Sequence, residues 1–416
     1  MRPVTCVMLL AALAAPATAQ APEARLLADV RRLSDDRLQG RLTGTPGADS
    51  AAAYIAQRFA EAGLAPGPGG WFQDFVVSPD APAARHAPVG GARGRNVVGV
   101  LAGNHPTLRR ELVVIGAHYD HLGLGGPFAL DPDSTGSVHN GADDNASGTA
   151  ALLEVAARLA RRPPARSVVF IAFSGEELGL LGSAHYMRQS SDAQHTAAMV
   201  NLDMVGRLRH DRLIVYGTGS ATEFPDLLDS LNRLAGFELA LRPDGYGPSD
   251  QSSFYAAGVP VLHFFTNVHE DYHRSTDDWE KIDVGGLARV AAFVTAVTET
   301  LANRPERPTF VALPVAAHGG SATGTGGYGA YLGTIPDMAG GGSGVRLAGV
   351  RAGSPAEQAG LRADDVITKI GDYEVPDLEA MTSALRSYKP GDTVEVVVRR
   401  GNSLTTLTAT LGSRRS

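Results

Sequence analysis

Five short stretches of this chain gather imidazoles and carboxylates: His118-Tyr119-Asp120, Gly141-Ala142-Asp143-Asp144-Asn145-Ala146-Ser147-Gly148, Ser174-Gly175-Glu176-Glu177, Asn201-Leu202-Asp203-Met204 and Asp271-Tyr272-His273. Nitrogen and carboxylate donors without thiolate suit Zn²⁺ and leave coordination positions open for catalysis. The chemistry they could do together is hydrolysis at a two-metal site. His118 and Asp120 are two apart on an extended run, so their side chains share a face. A carboxylate placed there can hold the second ring nitrogen of a ligand histidine. Asp143-Asp144 opens a turn before a helix, where one carboxylate can bridge two cations; the pair alone does not say which. Glu176 and Glu177 close a buried strand, and adjacent side chains diverge. One can bind metal while the other faces an attacking water. Asp203 ends the next strand, and His273 sits in a polar loop.

Each stretch falls at the end of an apolar, β-rich run or just after one, where active sites of α/β proteins collect. Residues 96–101, 111–117, 167–173, 197–202, 213–216 and 259–265 read as strands. Residues 24–63 read as largely helical, with Leu26, Val30 and Leu33 at helical spacing and a second helix over 51–62. Residues 149–161 form an amphipathic helix stopped by Pro163-Pro164, since proline cannot continue it. Helices follow over 178–189 and 284–301, and Asp277-Asp278-Trp279-Glu280 looks like a capping box for the last one. Strands alternating with helices predict an α/β fold: three layers, with a mostly parallel central sheet covered on both faces.

At 416 residues the chain exceeds what one core usually serves. With net charge −7 and no Lys/Arg block, nothing points to a nucleic-acid partner. Residues 1–19 read as an export signal: Arg2, an apolar run over 7–15, and Ala17-Thr18-Ala19 for cleavage before Gln20. That run is too short to span a bilayer, and no other stretch is expected to span one. The only cysteine, Cys6, leaves with the signal, so no disulfide is expected in an exported, periplasmic or secreted protein. His121, His139 and His269 lie near the motifs and read as structural or solvated. Ser174 stands in Phe173-Ser174-Gly175-Glu176, not in a Gly-x-Ser-x-Gly elbow, which argues against a serine hydrolase.

Residues 20–304 make the first unit, and a flexible Gly/Pro/Ala-rich linker over 305–328 leads to a small, mainly-β unit over 329–416. Strands are expected there over 331–335, 345–350, 365–370, 393–399 and 404–411, with helices over 355–360 and 377–387.

The motifs of the first unit resemble the M28 zinc metallopeptidases, an aminopeptidase family with a phosphorylase/hydrolase-like fold. The resemblance runs from about Leu33, through Gly44-Thr45-Pro46-Gly47, to about Leu301. It implies that Asp144 bridges two zinc ions, His118 and Asp203 complete one, and Glu177 and His273 the other. Glu176 would be the general base, Asp120 the outer partner of His118, and the Asp144–Asn145 peptide cis. Tyr246, three residues before Ser249-Asp250, matches a tyrosine that hydrogen-bonds the reacting carbonyl. Some relatives brace that loop with a disulfide; here Asp244 and Pro248 flank it.

The C-terminal unit resembles a PDZ domain. Tyr331-Leu332-Gly333-Thr334 stands at its carboxylate-binding loop, and residues 353–361 and 364–371 carry its pattern. Such a domain adds a peptide strand to a sheet edge, so a peptide or protein terminus is the expected partner. The implied activity is a di-zinc aminopeptidase in which metal-activated water attacks N-terminal peptide bonds. Glutaminyl cyclase-type acyl transfer, carboxypeptidase specificity and a binding protein built on an inactive enzyme stay open.

Overall fold

The computed structural model describes residues 21–79, 89–125, 129, 134, 136–189, 194–247, 249–267, 269, 271–313, 330–336, 343–350, 353–376 and 378–412. The expected export signal, Pro248 and residues 314–329 of the linker and its far end lie outside the described residues.

Three apolar runs make the middle of the first unit: β4 (Leu112–His118), β5 (Ser167–Phe173) and β6 (Thr196–Leu202). Their side chains alternate between two cores. Val113, Ile115, Val168, Phe170 and Val200 face one cluster, while Val114, Val169, Ile171 and Met199 face the other. Each such buried side chain contributes about 1.5–3 kcal/mol, so these strands are firmly placed.

Around them lie β1 (Ala65–Pro66), β2 (Phe72–Val76), β3 (Arg93–Leu101), β7 (Arg212–Tyr216), β8 (Glu238–Arg242) and β9 (Val261–Phe265). Among the described residues the sheet order is β1-β3-β5-β4-β6-β9-β7-β8, with β2 beside β3. The central four, β5-β4-β6-β9, run parallel. Parallel neighbours bring all their carboxyl ends to one edge. His118, Glu176, Asp203 and the loop carrying His273 therefore follow four adjacent strands at that edge.

On one face pack α1 (Pro22–Leu33), α2 (Pro46–Glu61), α3 (Gly148–Leu159) and α7 (Val284–Asn303), through Leu26, Ile55, Leu152 and Val294. On the other pack α4 (Leu181–Gln189) and α6 (Gln251–Ala256), through Tyr186 and Phe254. The three expected layers are present.

Several elements differ from the sequence reading. α2 begins at Pro46, because the Thr45 hydroxyl accepts Ala48 N–H and proline suits a first turn. α5 (Phe224–Ala235), β8 and α6 were not anticipated; α5 is nonetheless bracketed by Pro225 and by Gly236 in a left-handed conformation. The capping box at 277–280 does not form. Asp283 caps α7, accepting Gly286 N–H at 3.0 Å, and Asp277 turns into the core. α7 is also long and apolar enough to cross a membrane by length and composition, contrary to expectation. Leu287, Val290, Val294 and Leu301 on it are fully buried within this unit.

The second unit has its own core around Leu347, Ile367, Val396 and Met381. Its strands are β10 (Thr334–Pro336), β11 (Val345–Val350), β12 (Val366–Ile370), β13 (Tyr373–Glu374), β14 (Thr393–Arg400) and β15 (Ser403–Thr410). They pair antiparallel in the order β10-β11-β12-β14-β15, which leaves β10 at an edge. Among the described residues it also has two helices, α8 (Pro355–Gln358) and α9 (Leu378–Ser387).

Candidate metal centre

The turn between β4 and α3 is the most tightly constrained part of the site. Gly141 has φ +54, and a Cβ there would lie 2.5 Å from the His121 ring and 2.1 Å from Asp144 O, so only glycine fits. The Asp144–Asn145 peptide is cis. Asn145 ties this turn to the end of β6: its Nδ2 donates to Leu202 O at 3.0 Å and its Oδ1 accepts Gly148 and Met204 N–H. These bonds fix Asp144 relative to Asp203. Thr149 Oγ1 donates to His118 O at 2.8 Å, locking the end of β4. Arg41, 1% exposed, donates to the carbonyls of Leu33, Tyr119, Asn140 and Gly141. One buried cation thus gathers the backbone leading into two of the motifs.

The five expected ligands converge. His118 Nε2 lies 3.2 Å from Asp203 Oδ1 and 3.4 Å from Asp144 Oδ1. His273 Nε2 lies 3.2 Å from Glu177 Oε2 and 3.3 Å from Asp144 Oδ2. Asp144 thus turns one oxygen to each group. Two donors of a tetrahedral zinc with bonds near 2.0–2.1 Å sit about 3.3 Å apart. All four separations match that edge, so the residues present fit zinc.

Charge argues the same way. Among the described residues, Asp144, Glu176, Glu177 and Asp203 face imidazoles and no Lys or Arg within ion-pair distance. Burial works against protonated His118, yet Asp203 and Glu176 raise its pKa well above the usual value. Burial likewise opposes His273, which Glu177 and Asp144 push up to about 12. Burial would raise Asp144, but hydrogen bonds from His118 and His273 hold it well below the carboxylate range. Burial and Asp144 would raise Glu177, which His273 and His121 bring down to about 2. The electrostatics of the cluster favour positive charge, and cations would take the place of those protons.

Glu176 behaves differently. Burial, reinforced by Glu177, Asp203 and Asp250, raises its pKa well above the usual value against the pull of His118. Its Oε2 is 3.9 Å from His118 Nε2, and its side chain is 10% exposed. Asp203 and His273, at 14% and 15%, share this open side, while His118 is sealed at 1%.

Asp120 requires a correction. Its carboxylate was expected to hold the His118 ring, but the two are 3.8 Å apart. His118 Nδ1 instead lies 3.2 Å from the backbone carbonyl of Asp120. The carboxylate is taken by Glu176 N–H at 3.2 Å and Thr43 Oγ1 at 3.0 Å. It positions the Glu176 turn. Asp143 is not the residue facing the imidazole pair: Gly206 N–H, Ser147 Oγ and His269 Nε2 occupy its two oxygens.

Tyr246 is half-buried and packs edge-on against Tyr255, ring centres 4.6 Å apart. Its loop is held by Asp244, which accepts Tyr246 N–H, and by Ser252, which bonds both N–H and C=O of Gly247. In the second unit, Leu332 is buried and its carbonyl accepts Ala356 N–H, so Tyr331–Gly333 lean on α8 and Thr334 opens β10.

Sequence reasoning missed Thr43, His121, Asn145 and Asp277. His121 is fully buried with Nδ1 2.7 Å from Glu177 Oε1. His269 and His139 are buried too, His139 close under Gly125. The only available signal for His121 was its place three residues after His118.

Residues 96–298 match the model of peptidase family M28, and residues 329–411 that of the PDZ domain. Aminopeptidase YwaD of Bacillus subtilis is 30% identical over 228 residues, 51% of this chain and 46% of the relative. The chain thus spans about half the length of the curated relatives it matches. A zinc aminopeptidase from Bacillus subtilis superposes with a TM-score of 0.56 at 19% identity, covering 69% of this chain and 96% of that one. A glutaminyl cyclase from Bacteroides thetaiotaomicron superposes almost as well, with a TM-score of 0.54 at 18% identity over 67% and 97% of the two chains. The fold is therefore that of zinc aminopeptidases, and fold alone does not separate them from cyclases.

Proposed function

We propose that this chain, whose residues 96–298 match the model of peptidase family M28 and residues 329–411 that of the PDZ domain, is an exported exopeptidase that removes N-terminal residues from peptides at a two-zinc site. The observation that carries the reading is the division of Asp144, one oxygen toward His118 and Asp203 and the other toward His273 and Glu177. His118, Asp203 and Asp144 would hold one ion, and Glu177, His273 and Asp144 the second. Bound zinc supplies Lewis acidity, lowering the pKa of water and polarising the scissile carbonyl.

The chain does the rest. Glu176 stands at the open side with a carboxylate whose proton affinity is raised, as a general base needs. It takes the proton of the attacking water and delivers it to the leaving amine. The Asp120 carboxylate, bonded to Glu176 N–H, keeps that turn from drifting. Tyr246 would steady the developing oxyanion from the loop braced by Asp244 and Ser252. Carboxylates that meet no Lys or Arg among the described residues complement a substrate's α-ammonium group rather than a terminal carboxylate. The five-donor set favours hydrolysis over cyclisation. The PDZ domain would receive a peptide terminus along the open edge of β10, and residues 1–19 would direct export to the periplasm or beyond.

The test is mass spectrometry of matched peptides with free and acetylated N-termini, with chelator and with zinc added back. Stepwise N-terminal loss from the free peptide alone, stopped by chelator and restored by zinc, is expected. Trimming of both peptides from the C-terminus would make it a carboxypeptidase. Loss of ammonia from N-terminal glutamine alone would make it a cyclase.

A further inference from the structure

His121 is a buried ring in contact with the proposed ligand Glu177 that the proposed mechanism leaves unused. It is 0% exposed. Its Nδ1 lies 2.7 Å from Glu177 Oε1, while Glu177 Oε2 faces His273 Nε2 at 3.2 Å. Among the described residues its Nε2 has no hydrogen-bond partner. A buried N–H without a partner is costly, so the ring carries its proton on Nδ1 and donates it to Glu177. The turn ahead of Asp144 is shaped around this ring, since a Cβ on Gly141 would come within 2.5 Å of it. The His273 ring meets it edge-on at 5.9 Å.

Two roles fit a histidine beside Asp144 and Glu177: direct ligand, or donor to a ligand. The distances separate them. Donor pairs facing each other across the proposed ion positions are 3.2–3.4 Å apart, near the tetrahedral zinc edge of about 3.3 Å. The 2.7 Å contact of His121 with Glu177 is hydrogen-bond length, and its 3.9 Å separation from Asp144 Oδ2 is too long. We propose that His121 is a positioning residue for the second zinc: its Nδ1–H occupies Glu177 Oε1, so that Glu177 offers Oε2 alone to the ion shared with His273 and Asp144. With Oε1 so occupied, the carboxylate would bind the ion through one oxygen only. This inference rests on the two-zinc reading above.

The experiment counts zinc bound to the full chain by equilibrium dialysis against chelator-buffered zinc, with folding followed by circular dichroism. Wild-type protein should bind two ions. His121→Leu should bind the first as wild type does and the second about 10–100-fold more weakly, as loss of an outer-shell partner does. His121→Ala gives the same readout if the leucine disturbs folding. His121→Asn, whose amide N–H replaces Nδ1–H but does not ligate zinc, should restore the second affinity to within a few fold. If His121→Leu and His121→Ala both keep two ions at wild-type affinity, the inference fails while the two-zinc reading stands. If a folded His121→Asn loses the second ion as His121→Leu does, His121 is a ligand and not a donor. Saturation of wild type at one ion overturns the two-zinc reading itself.

Discussion

Asp277 lies directly behind Asp144. Its Oδ2 accepts the Asp144 N–H at 3.0 Å and, at 2.9 Å, that of the preceding residue. A residue from the loop before α7 thereby orients the backbone of the turn between β4 and α3. The cross-link is buried, with Asp277 at 0% exposure. Asp277 belongs to no proposed ligand set, yet it sets where the shared carboxylate sits.

Asp277→Ala should therefore leave two buried N–H groups unpaired, at a cost of about 1–3 kcal/mol each. Zinc affinity and turnover should fall together, by about 10–100-fold. Asp277→Asn retains one carbonyl oxygen and should recover most of the loss. Zinc titration of both variants checks this, and equal defects in the two would show that the acceptor geometry is not what matters.

Glu176→Gln should bind zinc like wild type, because Glu176 stands outside both donor groups. Turnover should fall by about 10²–10⁴-fold, the usual loss of a general base. Steady-state kinetics on a zinc-loaded variant decides it. Activity within a few fold of wild type would remove the base assignment.

The motifs at His118, Glu176-Glu177 and Asp203 were legible because each closes or directly follows an apolar strand whose period and composition leave little choice. β5 and the start of α7 coincide with the sequence reading. The supports were not legible, and the reason is distance along the chain. Thr43 reaches Asp120 across 77 positions and Asp277 reaches Asp144 across 133. Read locally, Asp277 obeys a helix-capping rule, and only tertiary packing turns it inward. α5 was missed although Pro225 and Gly236 punctuate it. β8 was missed because it is a half-exposed edge strand without a continuous apolar run.

In the second unit, Arg400 grips Asp365 with two hydrogen bonds, 2.7 Å to Oδ1 and 2.8 Å to Oδ2, clamping the start of β12 to the end of β14. Burial would raise the Asp365 pKa, but the Arg400 and Arg362 hydrogen bonds outweigh it and hold it below the usual 3.8. A carboxylate depressed on folding contributes stability that is full above its unfolded pKa and is lost as pH falls through the folded one. This unit should therefore weaken below about pH 4. Asp365→Asn should cost about 2 kcal/mol at neutral pH and flatten that acid dependence. Thermal melts of the full chain from pH 3 to 7 test it, and an unchanged acid slope in the variant would locate the titration elsewhere.

The tail of the first unit reaches further than its composition suggests. Residues 305–313 lie where the sequence reads as linker, yet Phe310 bridges Ala221 and packs on the Tyr255 ring at 5.4 Å. Thr309 is held by Glu223, and Leu313 N–H donates to Tyr255 Oη at 3.0 Å. Tyr255 in turn carries the Tyr246 ring. The segment leading toward the second unit is thus one wall of the loop that carries Tyr246. Truncation after Leu313 should leave the melting temperature of this unit and kcat/KM on dipeptide-sized substrates unchanged. Truncation after Arg304 removes that wall and a carbonyl partner of Arg166. It should lower the melting temperature by several degrees, as the loss of about 1–3 kcal/mol of packing and hydrogen bonding does, and kcat more than zinc content. Identical behaviour of the two truncations would show that residues 305–313 are a tether and nothing more.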